Sequence, residues 1–169
     1  MRSIPRPLSD AAVIRAVAGP LVLALIALAA FDMVSVAGPS MEPTLVSGDR
    51  VLVFRGAYGV RPPWQGPYLF RWREPGRGDI VLLENPTDGN PVVKRCVGVP
   101  GDRLIFAHEN IYVAGIPYSL DTASLGGLKD YRRIPPGSYF VVGDNLDTST
   151  DSRHYGLVSR DYLLGKVIP

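Results

Sequence analysis

The sequence predicts a mainly β protein: a compact antiparallel β-sheet or barrel-like domain behind one N-terminal transmembrane helix. Three observations predict it. Glycine and proline number 18 and 16 in a chain of 169 residues, and breakers at that density argue against a helical bundle and suit short strands joined by turns. Short apolar runs recur between turn signals such as Asn85-Pro86 and Pro100-Gly101. One stretch, residues 16–31, is apolar throughout and carries no charge.

The N-terminal segment comes first. Arg2, Arg6 and Arg15 precede the apolar stretch, and Asp32 interrupts it before residues 33–37 continue it. The clean core falls short of the ~20 residues of a full span. It reaches that length if Arg15 snorkels and Asp32 sits at the interface. Gly19 and Pro20 are tolerated in a membrane helix and poor in a soluble one. A cleaved signal peptide shares the charged start and apolar centre, with "AVAGP" or "VSVAG" as small-residue cleavage sites. A buried core helix is a third reading, though such helices are rarely so uniformly apolar. The anchor reading divides the chain into a cytoplasmic N-terminus (1–10), a transmembrane anchor (11–36) and an extracytoplasmic domain (37–169). The positive charges on the N-terminal flank set that orientation.

Beyond the anchor the strands follow in order. "DRVLVFRG" (49–56) is apolar at alternate and intervening positions alike, so both faces are expected to be covered. "GDIVLLENP" (78–86) and "PVVKRCVGVPGD" (91–102) read as a hairpin across Thr87-Asp88-Gly89-Asn90. Residues 103–118 hold two strands about a turn near His108 to Asn110. "GSYFVVGDN" (137–145) and "DYLLGKVI" (161–168) complete the set. Residues 58–74 and 120–133 are the least patterned and read as loops.

Charge and cysteine exclude several functions. A net charge of +2, with no basic run beyond pairs such as Arg132-Arg133, gives no reason to expect nucleic acid. The lone Cys96 excludes an internal disulfide and a multi-cysteine metal site. It reads as a small buried hydrophobe. Asp144, Asp147 and Asp151 recur in "DNLDTSTD" without the alternation and central glycine of a calcium loop.

Lys94 stands out. In "PVVKRCVGV" the two-residue period puts Val92, Lys94 and Cys96 on one strand face and Val93, Arg95 and Val97 on the other. A lysine among apolar neighbours either reaches water at an edge or is desolvated, and burial lowers its pKa. A neutral amine can take a proton from a serine hydroxyl, which an arginine cannot do. Ser40, in "GPSMEPTL" (38–45) just beyond the apolar segment, is the serine placed to use it; serine–lysine pairing is a variant of triad logic. A serine–histidine–aspartate arrangement has only His108, in the expected turn, or His154, near Asp151, to draw on. Both histidines read as ordinary surface residues.

Four blocks, "GPSMEPTL", "GRGDIVLLENP", "VVKRCVGVPGD" and "VVGDNLDTSTDSRHYGLV", occur in an order and spacing that resembles the type I signal peptidases. These are the bacterial membrane-bound leader peptidases of peptidase family S26, which carry a serine–lysine dyad. The resemblance implies a β-rich serine peptidase domain in 37–169, with Ser40 as nucleophile and Lys94 as general base. Ser149 matches a serine that orients the lysine. Asp151 and Arg153 match an ion pair behind the site, and Asp144 and Arg95 a second one. By analogy Val36, Met41, Leu45 and Val93 line the substrate pockets, each equally readable as core. The implied substrates are exported preproteins with small residues at the first and third positions before the cut. The implied setting is the bacterial cytoplasmic membrane, in contact with lipid through Trp64 and Trp72 among others. The enzyme is expected to be a monomer with no cofactor or metal.

The chain also departs from the family. Leu146 stands where arginine is frequent, Thr148 where asparagine is, and Val92 where some relatives have tyrosine. Gly38 removes a serine hydroxyl that in some members helps bind the oxyanion, leaving the backbone N–H of Ser40 as the expected donor. Other readings stay open: a specialised conjugation or pilin-maturation peptidase with the same dyad, a self-cleaving repressor, which would need a DNA-binding module in place of the anchor, and a catalytically dead membrane-tethered adaptor.

Overall fold

The computed structural model describes residues 14–22, 30–62, 68–120 and 127–168. It is mainly β, built on an antiparallel seven-stranded sheet. Its strands are β1 (Phe31–Ser35), β2 (Arg50–Phe54), β5 (Ile80–Glu84), β6 (Pro91–Gly98), β10 (Ser138–Val142), β11 (Val158–Ser159) and β12 (Leu163–Ile168). Their order across the sheet is β1-β2-β12-β5-β6-β10-β11. A two-residue pair, β3 (Gly59–Val60) with β4 (Phe70–Arg71), stands apart. So does a three-stranded meander of β7 (Leu104–Ala107), β8 (Asn110–Val113) and β9 (Ile116–Ser119).

The sheet centre follows from the sequence. β5 is apolar at four successive positions and buried at all of them, because alternate side chains enter different cores. Ile80 and Leu82 join Val51, Val53, Val93 and Val167 on one face. Val81 and Leu83 join Cys96, Tyr139, Val141 and Leu163 on the other. A third cluster holds the meander against the sheet through Val97, Leu104, Ile111, Val113, Phe140 and Val142. Gly98 permits that docking: a Cβ there would lie 2.6 Å from both Ile134 Cδ1 and Val113 Cγ1. Between Phe140 and Val141 the pairing of β10 with β6 shifts by one residue. The extra residue, Val97, faces the third cluster, a re-aiming that bulges commonly produce.

Several expectations change. Residues 31–35, assigned from the sequence to the anchor, form β1, paired with β2 from Phe31↔Phe54 to Ser35↔Arg50. Phe31 stacks on Phe54 with ring centroids 4.9 Å apart, and Asp32 pairs with Arg55 at 2.5 Å rather than ending a membrane helix. Of the rest of that segment, residues 14–22 are helical and exposed, while 11–13 and 23–29 lie outside the described residues. Among the described residues no helix is long and apolar enough to cross a membrane. β2 is fully covered on one face, where Val51 and Val53 are buried, and only in part on the other, where Leu52 is exposed and Phe54 half-buried against the second cluster. Residues 103–118 hold most of three strands rather than two, because a second turn falls at Ala114-Gly115, where both residues have positive φ.

Candidate active site

Ser40 lies in a tight turn after β1. The turn is closed by Glu42 N–H to Pro39 O (3.1 Å) and Leu45 N–H to Met41 O (2.9 Å). Among the described residues nothing accepts the N–H of Ser40, so that donor is free for an incoming oxygen. Met41 and Leu45 anchor the turn in the first apolar cluster beside Val36 and Val93. These four expected pocket residues are thus core here, between 1% (Met41) and 9% (Val93) exposed.

Lys94 projects from the middle of β6, opposite Val81 in the register. Its neighbours Val92 and Cys96 pack in the second cluster. The residue is 3% exposed. Its Nζ lies 3.0 Å from Ser40 Oγ and 3.1 Å from Ser149 Oγ. Burial pushes the amine below the ordinary lysine range; Asp151 opposes that shift and Arg153 reinforces it. A buried amine with two hydroxyl partners holds its proton less tightly than a solvated lysine, which favours the neutral form.

Behind Ser149 stands a buried ion pair. Asp151 caps the short helix Ser152–Tyr155 and takes its first-turn N–H from Arg153. Its carboxylate also receives Arg153 Nε at 2.9 Å, Arg153 Nη2 at 3.0 Å and Gly143 N–H at 3.1 Å. Burial would raise the Asp151 pKa, yet Arg153, the Ser149 hydroxyl and Gly143 together hold it below the usual carboxylate value. Arg153 reaches on to the carbonyls of Leu146 (2.7 Å) and Ser149 (3.2 Å), which fixes the loop carrying Ser149. Lys94 thus touches both Ser40 and Ser149, and Arg153 joins the Ser149 carbonyl to the Asp151 carboxylate.

The second pair also forms. Arg95 meets Asp144 at two points, Nε to Oδ1 at 2.7 Å and Nη2 to Oδ2 at 2.6 Å. Asp144 and Asp151 are thus each bound to an arginine. His154, expected to be a plain surface residue, completes the helix cap: its Nδ1 accepts the Asp151 N–H at 3.2 Å. His108 is exposed in a turn with φ 52. Cys96 is fully buried, and burial pushes its thiol up to about 12, so it is inert. Trp72 is 56% exposed; Trp64 lies outside the described residues.

Two contributors carried no signal in the sequence. The N–H of Asn145 donates to the Ser40 carbonyl at 3.1 Å, so the two loops of the site are joined through backbone. Gly143 lets them meet. A Cβ there would fall 2.3 Å from Ser149 Oγ and 2.4 Å from the Ser40 carbonyl oxygen, distances no side chain tolerates.

Known proteins resemble this chain along most of its length. The family described as signal peptidase, peptidase S26, matches residues 10–169. A Synechocystis protein named "Probable signal peptidase I-2" is 35% identical over 138 residues, taking in 75% of this chain and 56% of that protein. A signal peptidase I from Bacillus caldolyticus is 34% identical over 162 residues, with 86% of this chain and 82% of that protein covered. The chain therefore spans little more than half of the first relative and most of the second. A solved signal peptidase I from Enterococcus faecalis, 26% identical, covers 56% of this chain and 97% of its own at a TM-score of 0.44.

Proposed function

The chain belongs to the signal peptidase family, peptidase S26, and from that premise we propose that it is a membrane-bound serine endopeptidase that removes N-terminal signal peptides from exported preproteins. The observation that carries the reading is the 3.0 Å contact between Ser40 Oγ and the buried Lys94 Nζ. Neutral Lys94 takes the hydroxyl proton as Ser40 attacks the scissile carbonyl. The tetrahedral oxyanion meets the unengaged N–H of Ser40. Lys94 returns the proton to the departing amine, and the acyl-enzyme forms. It then activates a water that hydrolyses the ester, and Ser149 keeps the amine aimed throughout.

Specificity for small side chains fits the same place. Met41 follows the nucleophile and Val93 precedes the base, and both are packed into one cluster with Val36 and Leu45. A floor already filled by these apolar side chains leaves shallow depressions that suit alanine. In this reading residues 11–30 anchor the protein in the cytoplasmic membrane, with the N-terminus in the cytoplasm and the β domain outside.

The test uses the full chain in detergent and a precursor bearing Ala-x-Ala before its junction, beside Ser40→Ala and Lys94→Ala. A single cut after Ala-x-Ala by the parent, and none by either variant, is the expected result. Cutting that survives either substitution overturns the dyad. The glycine cradle makes a further expectation: Gly143→Ala pushes Ser149 or the Ser40 loop aside, and a shift near 1 Å costs about 10²-fold in kcat. Comparing kcat with the unfolding midpoint separates this from a folding defect.

A further inference from the structure

We propose that Ser152 is a positioning residue, whose buried hydroxyl braces β10 just past its bulge and so holds Ser149 in register against Lys94. The inference rests on the reading of Ser40 and Lys94 as nucleophile and base. It starts from the edge of β10 turned away from β6. β11 closes the first part of that edge, where Ser138 pairs with Ser159 and Tyr139 with Val158, and reaches no further. Val141 and Gly143, the latter just past the end of the strand, are buried. Their N–H groups are met by side chains instead of a strand. Ser152 Oγ accepts the Val141 N–H at 2.9 Å, and Asp151 Oδ2 accepts the Gly143 N–H at 3.1 Å. The chain returning from the Ser149 loop therefore attaches to β10 in order, at Gly143, at Val141 and at Tyr139.

The middle attachment falls at a sensitive place. Val141 is where the pairing of β10 with β6 resumes after the register shift, opposite Cys96 and two residues from Lys94. Ser152 holds that point from the side opposite to β6. Two residues on, Gly143 packs so closely on Ser149 Oγ and the Ser40 carbonyl that no Cβ fits. Ser149, three residues before Ser152, places its Oγ 3.1 Å from Lys94 Nζ. Burial of Ser149, Asp151, Ser152 and Arg153 already keeps this loop in the interior. Burial is non-directional, whereas a hydrogen bond is not, so the Ser152 bond sets the register of the loop along β10. Asp151 supplies a comparable bond but also holds Arg153 and caps the helix. Ser152 can be changed without breaking that ion pair. Its loss leaves the Val141 N–H buried and unmet, a penalty that a local shift relieves. Proton transfer across 3 Å is sensitive to such a shift.

Ser152→Ala removes the acceptor; Ser152→Cys nearly keeps the volume and leaves a weak one. Both are made in the full chain in detergent and assayed on the Ala-x-Ala precursor, with the folded fraction read by near-UV circular dichroism. Per folded molecule, Ser152→Ala is expected to lower kcat about tenfold with KM within about twofold, the pattern of an interaction felt in the transition state. Ser152→Cys is expected to fall between parent and alanine variant, and it carries the comparison if the alanine variant does not fold. In a Ser149→Ala background, Ser152→Ala is expected to lower the residual rate by no more than about twofold, because the contact it positions is already gone. A Ser152→Ala or, failing its folding, a Ser152→Cys enzyme at parental kcat overturns the proposal. So does a rate loss matched by the unfolded fraction, a loss confined to KM, or a full tenfold loss on top of Ser149→Ala. If the parent itself fails to cut the precursor, the peptidase reading has failed instead.

Discussion

Lys94→Met is expected to lower kcat by about 10⁴-fold or more, as when one member of a catalytic unit is removed. Methionine keeps the unbranched length and apolar fit of the lysine stem in a site 3% exposed, so the fold survives while the amine is lost. Lys94→Arg is expected to be as inactive, because a guanidinium stays protonated at any working pH and cannot accept the serine's proton. The same logic fixes the pH dependence of the parent. Burial lowers the Lys94 pKa, and only the neutral amine is competent. Activity therefore rises about tenfold per pH unit on the acid side and levels off once the pH passes the lowered pKa, short of the ordinary lysine value near 10.4. Stopped-time assays of kcat/KM from pH 5 to 10 measure this. An acid limb that persists unchanged in a Lys94→Met enzyme with residual activity would assign the ionisation to another group.

The second large effect concerns stability. Asp151 is fully buried and Arg153 is 5% exposed, so replacing either by alanine strands an uncompensated charge. Such a break costs about 3–5 kcal/mol, read as a lower urea midpoint at pH 7. Removing both partners together is expected to cost less than the sum of the single changes. The sign with pH follows from the depressed pKa of Asp151. Its contribution is present in full above the unfolded carboxylate value near 3.9 and is lost as the pH falls through the folded value. The gap between parent and Asp151→Ala should thus close at low pH. A gap that stays constant down to the acid transition would sink the assignment.

The strands of the main sheet were legible where chemistry punctuates them. β5 and β6 announce themselves by apolar runs set off by Gly78-Asp79, Asn85-Pro86 and Pro100-Gly101. β1 does not, because "FDMVS" continues the apolar stretch without a break, and only its pairing with β2 makes it a strand. The turn between β8 and β9 was hidden for a related reason. Ala114 adopts positive φ, a conformation alanine does not advertise. Within the site, Lys94 was visible because charge among valines is anomalous at a two-residue period. Ser149, Asp151 and Arg153 came from the resemblance alone, since a polar loop looks the same whether it is solvated or buried. Gly143 and Asn145 act through a missing Cβ and a backbone N–H, and neither leaves a mark in residue type.

β1 has a mechanical consequence. The chain from Phe31 to Ser35 is laddered to β2, itself laddered to β12, and the Ser40 turn follows within five residues. At about 3.3 Å per residue, this strand is a rigid spacer of roughly 17 Å between the end of the apolar stretch and the turn. A flexible linker would absorb an added or deleted residue as slack. A strand cannot, since one residue more reverses which side chains face the core. The spacing is thus under steric control, and the protein has little freedom to change the height at which its serine stands.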